Sequence, residues 1–171
     1  AAAGTGTVSL GGDAANGTLA GFGDNSGNGS LIQNVSVTAG TTLLYAQTNE
    51  VAGNFTVTAG TKLANAGNVS YTLTAGNITL GTLDSLSGTT NGLSINATGD
   101  VSLGLIGGTT ALADLAVGNA TSVTLDGIGG SLGVANGVIG NVELSDIGGL
   151  ATFGVATSTN YSIGGDLTVG A

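Results

Sequence analysis

Nine asparagines in this chain stand two residues ahead of a serine or threonine: Asn16, Asn28, Asn34, Asn54, Asn68, Asn77, Asn96, Asn119 and Asn160. That spacing is the acceptor pattern for N-linked sugar, and in a glycosylating compartment it would load the surface with carbohydrate. Asn, Ser and Thr are abundant, so part of the set follows from composition alone. Carboxylates offer a second chemistry. Glu143 and Asp146 lie three residues apart, and the repeat register described below sets Asp126 one coil beneath them. Glycoside cleavage needs two acids flanking a groove, one of them with a raised pKa. No arginine or tyrosine cluster accompanies this group, and acids facing solvent account for it. Asp100, Asp114 and Asp166 carry hard oxygen ligands of the kind calcium takes. The Gly-Gly-x-Gly-x-Asp nonapeptide of calcium-binding rolls is missing, and these are turn positions where Asp bonds its own backbone. No Gly-Lys-Ser or Gly-Lys-Thr phosphate loop is present. The expectation is a non-enzymatic chain without catalytic residue, cofactor or metal.

Composition narrows the classes further. The 171 residues include 34 Gly but no Pro, Cys, Met, Trp or His, which removes most nucleophilic and soft-metal chemistry. Ten acids face one cation, Lys62, for a formal charge of −9. Such a surface repels nucleic acid and anionic membranes, so neither is expected as a partner. No apolar run reaches the roughly 18 residues that span a bilayer, so no membrane insertion is expected. A hydrophobic fraction of 41% and a mean hydropathy of +0.43 supply enough apolar surface to fold. Only 6% of residues are charged, so the surface is mostly neutral and polar. The opening Ala1-Ala-Ala-Gly4 has no basic n-region or apolar h-region. We expect either a removed leader or a longer parent chain, and an extracellular or cell-surface location.

The elements that must position these residues declare themselves through repetition. The phrases Ile78-Thr-Leu80, Val101-Ser-Leu103, Val123-Thr-Leu125, Val142-Glu-Leu144 and Leu167-Thr-Val169 start 23, 22, 19 and 25 residues apart, with a looser copy opening at Leu43. Self-similarity at this interval marks a stacked repeat architecture. A companion column reads Val35-Ser-Val37, Phe55-Thr-Val57, Tyr71-Thr-Leu73, Leu93-Ser-Ile95 and Leu115-Ala-Val117. Both phrases alternate apolar and small polar residues, the pattern of a half-buried strand. A helix would lose about 1 kcal/mol at each interior glycine. Leu112, Leu132 with Val134, and Leu150 with Phe153 and Val155 suggest a third strand. The fold predicted is all-β: a parallel β-helix, or β-solenoid, of roughly seven coils of about 22 residues, its strands spaced about 4.8 Å apart. Ile78, Leu80, Val101, Leu103, Val123, Leu125, Val142 and Leu144 form its core repeat. Thr38, Thr58 and Thr74 would stack as a ladder if the coils align.

A rival stays open. Asn91-Gly92 and Asn136-Gly137 precede Leu93 and Val138, as a recurring solenoid corner would, yet Asn-Gly is also the strongest short signal for an antiparallel hairpin. Asn16-Gly17 and Asn28-Gly29 add to it. An antiparallel β-sandwich or jelly-roll filament subunit, with Thr5 to Leu10 donated as a strand, is the alternative. Residues 1–30 lack the period and read as an irregular Gly-rich cap, junction or donor strand, and residues 31–171 as the solenoid repeats.

The units Asn77-Ile-Thr-Leu-Gly-Thr-Leu83, Gly99-Asp-Val-Ser-Leu-Gly-Leu-Ile106 and Gly164-Gly-Asp-Leu-Thr-Val169, joined by Val-Thr-Ala-Gly strands, resemble the repeats of filamentous-haemagglutinin-type and autotransporter-passenger adhesins. The likeness covers residues 30–171 and carries no catalytic or secretion motif. It implies a right-handed parallel β-helix exported to the cell surface. An uncovered solenoid end pairs with another chain, and Tyr161 to Val169 carry the full repeat pattern without a polar cap. The functional expectation is a structural or adhesive segment of an extracellular fibre, meeting copies of itself or further coils head to tail. Its competitors are the sandwich subunit and a carbohydrate- or ice-binding β-module.

Overall fold

The structure is a computed structural model that describes residues 7–10, 33–45, 47–129, 137–154 and 161–170. These hold fourteen strands and no helix: β1 (Thr7–Leu10), β2 (Val35–Val37), β3 (Thr41–Leu44), β4 (Thr48–Glu50), β5 (Phe55–Leu63), β6 (Ser70–Ala75), β7 (Ile78–Ser85), β8 (Gly92–Ala97), β9 (Asp100–Ile106), β10 (Leu115–Gly118), β11 (Ser122–Ile128), β12 (Val142–Ser145), β13 (Ala151–Phe153) and β14 (Leu167–Val169). From β3 onward the strands alternate between two parallel sheets. Sheet 1 runs β1-β3-β5-β7-β9-β11-β13, with β2 also on β5, and sheet 2 runs β4-β6-β8-β10-β12-β14. Each successive pair of strands from β3 onward is one coil, giving about six turns of a β-solenoid where the sequence predicts about seven. Every pairing between named strands is parallel, which overturns the antiparallel sandwich. The β1 strand lies within the segment read as irregular and continues sheet 1 by pairing with β3.

Among the described residues each coil from β5 onward carries two named strands where the sequence suggested three, and isolated bridges link Leu112 to Val138 to Ile163 and the last residue of β11, Ile128, to Tyr161. Phe153, assigned from sequence to a third strand, lies in β13 and pairs with Leu125 of sheet 1, while Leu150 is exposed just before it. Leu132, Val134 and Val155 lie outside the described residues.

Alternation decides which residues enter the core. Phe55, Ile78, Val101 and Val123 are register partners in sheet 1, as are Val57, Leu80, Leu103 and Leu125. Tyr71, Leu93, Leu115 and Val142 align in sheet 2, as do Leu73, Ile95, Val117 and Leu144. All of these are buried, and enclosing each large aliphatic side chain stabilises the fold by about 1.5–3 kcal/mol. Val142 and Leu144 therefore sit in the core but not in the column of Val101 and Val123. Val35 and Phe55 likewise belong with Ile78, not with Tyr71 and Leu93. The reason is physical: the same alternating phrase faces the core from both walls, so similarity alone does not say which wall. One coil is also longer, because Leu115 pairs with Val142, 27 residues on, where its predecessor Leu93 lies 22 residues before it.

Backbones approach closely where side chains are small. A Cβ on Gly104 would overlap the carbonyl oxygen of Gly81, and one on Gly81 would overlap that of Thr58. Beside Gly81 the β5 strand carries a bulge, with two residues between Val57 and Gly60 opposite the single Gly81. The extra residue keeps Thr61 and Leu63 in the inward phase of Phe55 and Val57, whereas β7, which lacks it, shifts its inward positions from Ile78 and Leu80 to Leu83 and Ser85.

Candidate functional site

Three features carry side-chain chemistry: polar ladders at the corners, the outer face of sheet 1, and the end of the last described coil. At the corner leading into sheet 1, Asn54 N donates to Asn34 Oδ1 at 2.9 Å. Asn77 Nδ2 donates to Asn54 Oδ1 at 2.9 Å, Asp100 N to Asn77 Oδ1 at 2.8 Å, and Ser122 Oγ to Asp100 Oδ1 at 2.7 Å. The corner leading into sheet 2 repeats the device: Asn141 N donates to Asp114 Oδ1 at 2.8 Å and Asp166 N to Asn141 Oδ1 at 2.9 Å. Each bond crosses from one coil to the next, so the ladders reinforce register where the backbone turns, beside backbone bonds such as Gly76 N to the Gly53 carbonyl and Gly99 N to the Gly76 carbonyl.

This geometry accounts for the spacing of several of the asparagines. The ladder residue comes first, the next side chain points into the core, and the third is an outward hydroxyl, as in Asn34-Val-Ser36, Asn54-Phe-Thr56 and Asn77-Ile-Thr79. An Asn-x-Ser/Thr pattern is what this corner produces. Asn119 Nδ2 donates to Asn96 Oδ1 at 2.8 Å on the corner after sheet 2, and Asn68 Oδ1 accepts from Thr90 N at 2.9 Å. Asn16, Asn28 and Asn160 lie outside the described residues.

The third residues of these phrases build a column that sequence reasoning missed. Ser36, Thr56, Thr79, Ser102, Thr124 and Thr152 are consecutive register partners on the outer face of sheet 1. The expected ladder of Thr38, Thr58 and Thr74 does not form. Thr58 Oγ1 donates to the Thr38 carbonyl at 3.4 Å, whereas Thr74 lies in sheet 2 between Glu50 and Asn96. The signal that would have found the true column was the residue after each core position, read together with the Asn before it.

The acids do not converge. Glu143 is exposed on sheet 2 between Ala116 and Thr168, Asp146 follows that strand at φ 52°, and Asp126 belongs to β11 of sheet 1. Asp126 is therefore not one coil beneath Glu143 but on the opposite wall of the same coil. It lies near Tyr161, whose hydroxyl donates to the Leu125 carbonyl at 2.9 Å. Burial raises the pKa of Tyr161, and the charge of Asp126 raises it further. Asp100 and Asp114 spend Oδ1 on the ladders, and Asp84 Oδ1 accepts from Thr109 N at 2.8 Å and Thr110 N at 3.0 Å. Among the described residues no three His, Cys, Asp or Glu side chains gather as a metal site.

The Asn91 side chain is fully buried in the turn after β7. Its Nδ2 donates to the carbonyls of Leu63 at 2.9 Å and Asn65 at 3.2 Å and to Thr89 Oγ1 at 3.1 Å, while its Oδ1 accepts from Val69 N at 3.1 Å. Ser85 Oγ accepts from Asn91 N at 2.9 Å. The Asn-Gly pair that suggested a hairpin is thus a clamp between one coil and its predecessor. Asn136 lies outside the described residues.

At the far end, β13 closes sheet 1 and β14 closes sheet 2, each with one edge unpaired among the described residues. Leu167 is 48% and Val169 51% exposed although their register partners Val142 and Leu144 are enclosed. Fold and ladders together define a β-solenoid repeat protein. Comparison with known proteins finds no matching family model, no matching curated protein and no matching solved structure, so the functional reading rests on this geometry.

Proposed function

We propose that this chain is a non-enzymatic structural and adhesive segment or subunit of an extracellular fibre, joined end to end through open β-edges to copies of itself or to further coils. The observation that carries this reading is the last described coil. Leu167 and Val169 continue two core columns of sheet 2 and lie half exposed, beside strand edges whose donors and acceptors can extend each ladder. The ladders need only backbone and short polar side chains, so such a rod extends with little demand on sequence. Its surface, at a net charge of −9 with one cation, suits the exterior of a cell rather than nucleic acid. The test is sedimentation and negative-stain imaging of the chain against a Leu167→Lys/Val169→Lys variant. The parent should form concentration-dependent linear assemblies and the variant single short rods. Single rods from both at high concentration would overturn the reading.

The hydroxyl column on sheet 1 favours a second reading, a carbohydrate- or ice-binding β-module. Six hydroxyls repeat along the axis at about 4.8 Å. Affinity of a non-assembling monomer for insoluble polysaccharide, or thermal hysteresis in its solutions, would select it, and Thr79→Val/Thr124→Val should then abolish either signal.

A further inference from the structure

Among the described strands the inner positions are mostly aliphatic; the polar ones are Thr42, Asn49 and Thr61 near the first coils and Ser85 at the end of β7, whose hydroxyl is bonded to Asn91. In sheet 1 the register column that contains Leu83, Ile106 and Ile128 is occupied two coils earlier by Thr42 and one coil earlier by Thr61. In sheet 2 the column of Leu73, Ile95, Val117 and Leu144 begins with Asn49. Thr42 and Asn49 are fully enclosed and Thr61 is 1% exposed. The hydroxyls of Thr42 and Thr61 have no hydrogen-bond partner among the described protein groups. A buried hydroxyl left unmatched is costly, and native interiors hold few of them.

We infer that Thr42 and Thr61 form an internal hydration site, a water molecule bridging the two hydroxyls inside the first coils. Register partners in adjacent parallel strands lie about 4.8 Å apart, and two O–H···O bonds of about 2.8 Å span up to about 5.6 Å. The pair is thus set at a bridging distance, too far for a direct bond and near enough for one water. A buried water needs at least two polar partners, which the two hydroxyls supply. Water is the ligand this site selects. The inner columns carry no charged side chain here, and no acidic or His/Cys group of metal-binding size occurs among the described residues. The later coils have no such site, because Leu83, Ile106 and Ile128 fill the same column with hydrocarbon.

The test is a double-mutant cycle of Thr42→Val and Thr61→Val, isosteric changes that keep the coil packed, read by urea midpoint and by water-to-protein NMR cross-relaxation. Each single variant should lower the midpoint, because it strands the other hydroxyl or costs the water a partner. The double variant should recover most of that loss and erase the long-lived water signal at the residue 42 and 61 methyls. Single variants that each raise the midpoint, adding in the double, would overturn the inference, as would a parent protein without that water signal. Neither result bears on end-to-end assembly, which is read separately at Leu167 and Val169.

Discussion

The first two complete coils, β2 to β6, and the three that follow, β7 to β12, share one backbone plan but differ inside. Thr42, Asn49 and Thr61 occupy positions that Leu83, Ile106 and Leu73 take later, yet the ladder of parallel strands runs through both without a break. Register in this rod is therefore held by backbone bonds and corner ladders, and the interior sets how strongly each coil resists opening. Stability in a solenoid is close to a sum of coil and neighbour terms, so the polar end should open first.

The sharpest way to break this comparison is to carry the polar interior into the aliphatic part. Ile106→Thr places in the fourth coil what Thr61 is in the second, but with Leu83 and Ile128 as neighbours along the column. Lost apolar burial and an unmatched hydroxyl should together cost about 2–4 kcal/mol in urea unfolding. A cost below about 0.5 kcal/mol would mean that any coil accepts a polar interior and that the two regions do not differ in kind.

Asn91 stands at the seam. Its side chain, in the turn after β7, bonds groups at residues 63, 65 and 69 of the preceding coil. Asn91→Ala should cost about 2–3 kcal/mol, since several buried groups lose their partner together. It should also separate the unfolding of the first coils from the rest, seen as hydrogen exchange that accelerates in β5 and β6 while β9 and β11 stay protected. Uniform acceleration across all coils would remove the seam.

Alkaline titration compares the two regions through their tyrosines. Burial raises the pKa of Tyr71 in the second coil, only partly offset by the hydrogen bond that Asn65 N donates to its hydroxyl at 2.6 Å. Tyr161 beside the last coils is raised by burial and then by Asp126. Both keep their protons in the folded chain at a pH where the unfolded chain releases them. Stability is therefore intact below the ordinary tyrosine pKa of about 10 and falls as pH climbs from there through the folded values. Ultraviolet tyrosinate absorbance should lag in the folded protein and rise together with unfolding. Tyr71→Phe should lose the pH-dependent part contributed by the first coils.

Much of the fold was legible because one phrase encodes it. Alternation named Ile78, Leu80, Val101, Leu103, Val123 and Leu125, and the period named a solenoid. What stayed hidden has specific causes. The wall to which Val142 belongs is unreadable from a phrase that serves both sheets, and the longer coil before it shifts the count. Thr42 and Thr61 sit in Gly-Thr-Thr-Leu and Gly-Thr-Lys-Leu runs whose texture matches exposed strands. Thr61 keeps the inward phase of Phe55 and Val57 across the bulge, but the intervening Thr58 and Ala59 hide that continuity. Asn91-Gly92 carries the composition of a hairpin turn, and only its burial reveals a clamp. The corner ladder shows in the sequence as a row of Asn-x-Ser/Thr patterns, which also read as sugar acceptors, and its bonds stay hidden because sequence cannot show one coil lying on the next.

The smallest predicted effect tests whether the corners are indifferent to the interior they enclose. Asn77 belongs to a ladder whose first members flank the polar coils, and Asn141 to one that serves only aliphatic coils. Each accepts a backbone N–H from the following coil at an exposed position where water can replace the lost bond. Asn77→Ala and Asn141→Ala should therefore cost about 0.5–1.5 kcal/mol each, with Asn77 at the upper end because it also donates to Asn54. If Asn77→Ala costs several times more than Asn141→Ala, the corner ladder compensates for a weak interior. Register at the polar end would then depend on side chains rather than on the backbone alone.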